Sequence, residues 1–169
     1  MQLFQDFLDR SKQLNLAPKK SHLNFHIPTR QYTFVYFGII LPNLPAPLHY
    51  FNFIGLMGAA HAPMLRNESA IHSTAIDTAT ILCSSSPHMV GQLHSYAMQR
   101  DCHFSKSLWQ FSNHEQILGN LPNFQIQRDD DELSCQLSVQ TTTQVSYFNK
   151  MRLGLGEHWS TRCFFEGRI

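Results

Sequence analysis

Two short stretches carry side chains whose types and spacing could move protons. In LHSYAMQRDC, His94, Tyr96 and Met98 recur at every second position, with Gln92 in the same phase and Arg100 and Asp101 just after. In the terminal EHWSTRCFFEGRI, His158, Ser160, Arg162 and Glu166 alternate with Trp159, Thr161, Cys163 and Phe165. A period of two places alternate residues on one face of a strand, so each stretch predicts a titratable face backed by an apolar one. Turned inward, the polar faces would set histidine, phenol and guanidinium in greasy surroundings, as acid–base chemistry on a hydrophobic compound requires. Turned outward, they would be solvated, and Leu93, Ala97, Trp159, Cys163 and Phe165 would form the core. Pattern alone favours the second arrangement and leaves the first open.

Other chemical signatures are missing. No P-loop, dinucleotide glycine pattern, GxSxG or HExxH occurs. Among ten histidines, His22 and His26 have helical spacing but stand between Pro18 and Pro28. No HxH places two imidazoles on one strand face. Cys83, Cys102, Cys135 and Cys163 are far apart, without CxxC or CxxH, and read as reduced core thiols rather than zinc ligands. The run Arg128, Asp129, Asp130, Asp131 lacks the glycine and distal glutamate of a calcium loop and reads as a solvated hairpin turn. No metal or cofactor is expected.

The bulk numbers bound the class. A chain of 169 residues, 43% hydrophobic and 15% charged, is globular and long enough to bury a core without disulfides. A net charge of +1 without basic runs argues against nucleic acid as a partner, and Lys19 and Lys20 read as a solvated linker. The N-terminus has no basic segment followed by an apolar run, so it does not read as a signal peptide and a cytoplasmic location is expected. Residues 32–60 are apolar but interrupted by Pro42, Pro45 and Pro47, which breaks any spanning helix. They predict two buried strands joined by a stiff, polyproline-like corner.

Those side chains need elements to position them. Leu3, Phe4, Phe7, Leu8 and Leu14 form one stripe of an amphipathic helix ended by Ala17-Pro18, giving a helix over 1–17 and a β domain over 18–169. Beyond it nearly everything reads as strand, including 33–41, 49–57, 77–84, 90–101, 107–113, 114–119 and 123–127. ELSCQLSVQ alternates without error, with Leu133, Cys135, Leu137 and Val139 on one side. Nine strands at short intervals without crossover helices predict an all-β, antiparallel meander forming a barrel or a strongly curved sheet. The first two strands are apolar on both faces and would have to be covered twice.

The order LPAPLHYFNFIGLMG, DTATILC, LHSYAMQRDC, VSYF and EHWSTRCFFEGRI, over residues 32–169, resembles the N-terminal half of uncharacterised bacterial proteins with a lipocalin-like (calycin), two-domain fold. Those proteins are distant relatives of carotenoid hydratases. The resemblance implies two packed barrels, a cleft for apolar compounds and, in some relatives, water addition to or cyclisation of a terpenoid or polyketide. No catalytic residue is carried over. In that family the E-G-x-I ending leads on to a second domain, so this chain would be the first half. Physics adds that an aromatic edge strand invites pairing. Residues 163–169 are therefore expected to close a barrel with the first strands, or to pair with a second copy of the chain or a missing second domain.

The expected function is binding of an apolar small molecule of terpenoid, polyketide or fatty-acid type, with catalysis by this chain alone not expected. Its lumen would be lined by Phe34, Tyr36, Phe51, Phe53, Tyr96 and Trp159, with His94, His158 and Arg162 as polar contacts. The alternatives are a non-enzymatic module that forms oligomers through its N-terminal helix and exposed edge, or half of a hydratase- or isomerase-like enzyme.

Overall fold

The computed structural model describes residues 2–14, 24–86, 89–148 and 158–169. Lys19, Lys20 and His22 lie outside the described residues. An N-terminal helix, α1 (Gln2–Leu14), precedes ten strands: β1 (Val35–Pro42), β2 (Tyr50–Met57), β3 (Thr78–Ser86), β4 (Met89–Ala97), β5 (Cys102–Phe104), β6 (Leu108–Phe111), β7 (Glu115–Asn120), β8 (Asn123–Asp129), β9 (Ser134–Phe148) and β10 (His158–Arg168). The strands form two antiparallel sheets, ordered β1-β2-β3-β4 and β10-β9-β8-β7-β6-β5. The expected antiparallel, all-β architecture is therefore present, but as open sheets and not as a closed barrel. The chain divides into two compact units, His26–Glu115 and Met1–Phe25 with Gln116–Ile169.

In the unit His26–Glu115, strand alternation sets the core. Val35, Phe37, Ile39 and Leu41 of β1 are buried, and the residues between them are exposed. Register continues that face through Phe53 and Phe51 of β2 and Ile81 and Cys83 of β3, all fully buried. The opposite face of β1 is not covered as its apolar sequence led us to expect, for Tyr36 is 42% and Ile40 54% exposed. The proline-rich corner is a tight turn, with Leu48 and His49 N–H groups donating to the Pro45 carbonyl, and not an extended polyproline segment. Residues 59–77 are a connection punctuated by 3-10 turns, as their small and turn-forming residues suggest.

In the other unit, Phe124, Ile126 and Arg128 of β8 pair with Val139, Leu137 and Cys135 of β9, and all six are buried. Asp130 closes this hairpin: its Oδ1 accepts the N–H groups of Glu132 (2.9 Å) and Leu133 (2.8 Å), and its Oδ2 accepts Arg128 Nε (2.6 Å). The sequence reading of Arg128 as part of a solvated turn is corrected here, because Arg128 belongs to the strand and is 1% exposed. Alternation decides it: Arg128 is in phase with Phe124 and Ile126. Residues of β10 from Cys163 to Arg168 pair with β9, so the terminal strand makes a hairpin with its predecessor and does not close a barrel with β1.

Helix α1 forms where the apolar stripe predicts it, yet Leu3 is 88% and Phe4 68% exposed.

Candidate functional site

The strand β4 ends where the sequence reading carried it too far. Residues 98–101 leave the sheet as a single helical turn, α2 (Met98–Asp101). Asp101 holds that break, since its Oδ2 accepts the Ala97 N–H at 2.9 Å while Arg100 clasps both carboxylate oxygens at 2.7 and 2.9 Å. Hydrogen bonding from Arg100, then from the Ala97 backbone, keeps the Asp101 carboxyl below its ordinary range. The chain then returns through the β5–β6 hairpin and a turn at Ser112, where φ is 53°, to start β7 at Glu115.

That route brings Glu115 to the side chains singled out on β4. Glu115 Oε1 meets His94 Nδ1 at 2.6 Å, and Oε2 accepts the Tyr96 hydroxyl at 2.6 Å. Glu115 is fully buried and Tyr96 nearly so, whereas the His94 side chain is 30% exposed. Both contacts have the short lengths of charge-assisted hydrogen bonds. The carboxylate favours the tautomer with a proton on Nδ1 and fixes the ring's orientation. A second imidazole, His114, lies with its ring centroid 5.4 Å from that of His94.

The surroundings are aromatic. Tyr96 packs on Phe111 (6.4 Å between centroids), Phe111 on Phe37 (6.1 Å) and Phe104 (5.6 Å), and Trp109 edges onto Phe37 and Phe104 at 5.4 Å each. A carboxylate held by a phenol and an imidazole within this cluster can orient a partly exposed histidine as a hydrogen-bonding or proton-transferring group.

Of the residues proposed from sequence, the structure brings four onto one sheet face: Phe51, Phe53, His94 and Tyr96, linked by the register β2-β3-β4. Phe51 and Phe53 are fully buried, packed as core and not lining a lumen. Phe34 (39% exposed) precedes β1, and Tyr36 points to the opposite face from Phe37. His158 and Arg162 are exposed and Trp159 half-buried on β10, in the unit that does not contain His94. Sequence reasoning missed Glu115. Its signal was available: in EQI, Glu115 is in phase with Ile117, which is 1% exposed, and a charge at a core-phase position marks a buried, partnered carboxylate.

A shallow polar depression of about 350 Å³ is lined by Arg100, Asp101, Cys102, His103, Gln110, Ser112 and Asn113. Burial, then the nearby Asp101 and Asp77 charges, pushes the Cys102 thiol up to about 12, so it stays protonated and is no nucleophile at neutral pH. All four cysteines are thiols, with Cys83 and Cys135 buried as core residues. Among the described residues no helix is long and apolar enough to cross a membrane.

A family model described as a family of unknown function (DUF6670) matches residues 54–169. Neither a curated protein nor a solved structure matches the chain.

Proposed function

The chain belongs to this family of unknown function, DUF6670, and from that premise we propose that it binds an apolar small molecule carrying one hydrogen-bonding group, which His94 reads. The single observation behind this reading is the buried Glu115 carboxylate, whose 2.6 Å hydrogen bond holds the partly exposed imidazole of His94 beside Tyr96 and the aromatic cluster. Such a constellation gives an apolar ligand one fixed polar contact at the margin of an aromatic cluster. A hydroxyl or carbonyl on a terpenoid, polyketide or fatty-acid chain has the required chemistry. The lipocalin-like kinship belongs to the same proposal, supported by the antiparallel meander and the N-terminal helix. So does a cytoplasmic setting, which suits four cysteines kept as thiols.

Trp109 supplies the reporter, because it packs directly on Phe37 and Phe104. The sequence has two tryptophans, so a Trp159→Phe background leaves Trp109 as the sole indole. Titration with retinol, a farnesyl alcohol and fluorescent fatty acids is expected to give saturable quenching with at least one of them. His94→Ala should weaken that ligand by about tenfold, the worth of one good hydrogen bond. A panel that leaves Trp109 emission unchanged would overturn the proposal.

A second reading rests on a different observation, the exposed Leu3 and Phe4 of α1. Two large apolar side chains exposed at the start of the helix suit self-association through it. Light scattering on the full chain and on a variant lacking residues 1–14 decides it: an oligomer that survives the deletion, or a monomer in both, removes this reading.

A further inference from the structure

The outer face of β8, β9 and β10 carries an unusual set of side chains in register. Strand pairing aligns Asn123 with Gln140 and Phe164, and the next row aligns Gln125 with Ser138 and Glu166. All six are exposed, Phe164 to 70%, while the opposite face carries the buried Phe124, Ile126, Leu137 and Val139. These rows line an open groove of about 570 Å³, within the size range of small-molecule sites. Among the described residues, the side chains of Asn123, Gln125, Ser138, Gln140 and Glu166 make no hydrogen bond or ion pair within the protein. Their donors and acceptors are therefore open to water or to a ligand in the groove.

From this juxtaposition we infer that the groove is a binding site for a neutral pyranose saccharide. Each primary amide offers a donor and an acceptor side by side, which matches two adjacent hydroxyls of a sugar ring. The Glu166 carboxylate accepts from hydroxyls of the same kind, and with more strength than a neutral acceptor. Phe164 presents an aromatic face to the apolar C–H side of a pyranose, a weak contact singly but one that fixes ring orientation. The charge of the lining selects the ligand further. Among the described lining residues Glu166 is the only ionisable one, so its row disfavours anionic groups, while Arg168 stands on the same face one row on. The groove lining contains neither His94 nor Glu115, and the groove stands whether or not an apolar ligand binds at those residues.

The test uses the full chain on a glycan array, followed by calorimetric titration with cellopentaose, maltopentaose and chitopentaose. The expected result is retention of neutral glycans, with saturation-transfer NMR placing the sugar C–H protons against an aromatic ring. Phe164→Ala should lower affinity by about tenfold or more, the loss expected on removing the orienting contact. Its side chain is exposed, so the variant should keep its circular dichroism spectrum. Gln140→Ala, also on the exposed face, provides a second variant should Phe164→Ala misfold, and it should weaken the same ligand. The inference is overturned by the absence of saccharide binding, by binding that both variants leave intact, or by a preference for sialylated or phosphorylated glycans.

Discussion

Glu115 and Arg128 are charged residues at core-phase positions, and each is held by short polar contacts. Glu115→Leu should remove the acceptor of Tyr96 and His94 and destabilise the protein by about 1–3 kcal/mol, the cost of leaving buried partners unsatisfied. Chemical denaturation measures it, and a variant as stable as the parent would mean the cluster contributes nothing to folding. The Asp130 carboxyl gives a pH dependence. Burial raises its pKa, but the Glu132 and Leu133 N–H groups and the Arg128 guanidinium outweigh this and hold it below its ordinary 3.8. A folded-state value below the unfolded one means that the stabilisation is complete above the unfolded value and is lost as pH falls through the folded value. Asp130→Asn should therefore be less stable than the parent near neutral pH, and the gap should close as pH falls below the unfolded value and through the lower folded-state one. A gap independent of pH would sink this account. Cys102, pushed up to about 12, should react with iodoacetamide far more slowly than a free thiol at about pH 8.

The β1–β2 pair shows how an element depends on one small residue. Phe37 is paired with Gly55, and a Cβ added at Gly55 would fall 2.0 Å from the Phe37 ring. That ring cannot swing aside easily, because Trp109 and Phe111 pack against it. Gly55→Ala should thus cost about 1–3 kcal/mol through overpacking and perturb the near-ultraviolet signal of Trp109. An unchanged melting temperature and spectrum would show that the ring relocates freely. At the end of β4, the Ala97–Asp101 hydrogen bond replaces a strand with a turn. Asp is a poor strand former and a ready acceptor for nearby N–H groups, so this break had a local cause in RDC that alternation alone does not register.

For the whole molecule, the matched family region and the folded units do not coincide. The match begins at residue 54, inside β2, and omits β1, whose Val35, Phe37, Ile39 and Leu41 are buried. A fragment of residues 54–169 should therefore lose its cooperative melting transition and bind a hydrophobic dye, since Cys83 would lose its neighbour Phe53 and the buried side chains of β1 would be missing. A fragment that melts cooperatively would contradict the core as described. The sequence by itself determined the antiparallel class, the N-terminal helix, most strands and the phase of His94, Tyr96, Leu137 and Val139, because these follow from side-chain period and turn chemistry, which are local. Tertiary structure alone decided that the sheets stay open, that Phe51 and Phe53 are core while Tyr36 faces outward, and that Glu115 meets a strand 19 residues earlier. Those outcomes depend on strand order and on which face is covered, and neither is encoded in the alternation of any single strand.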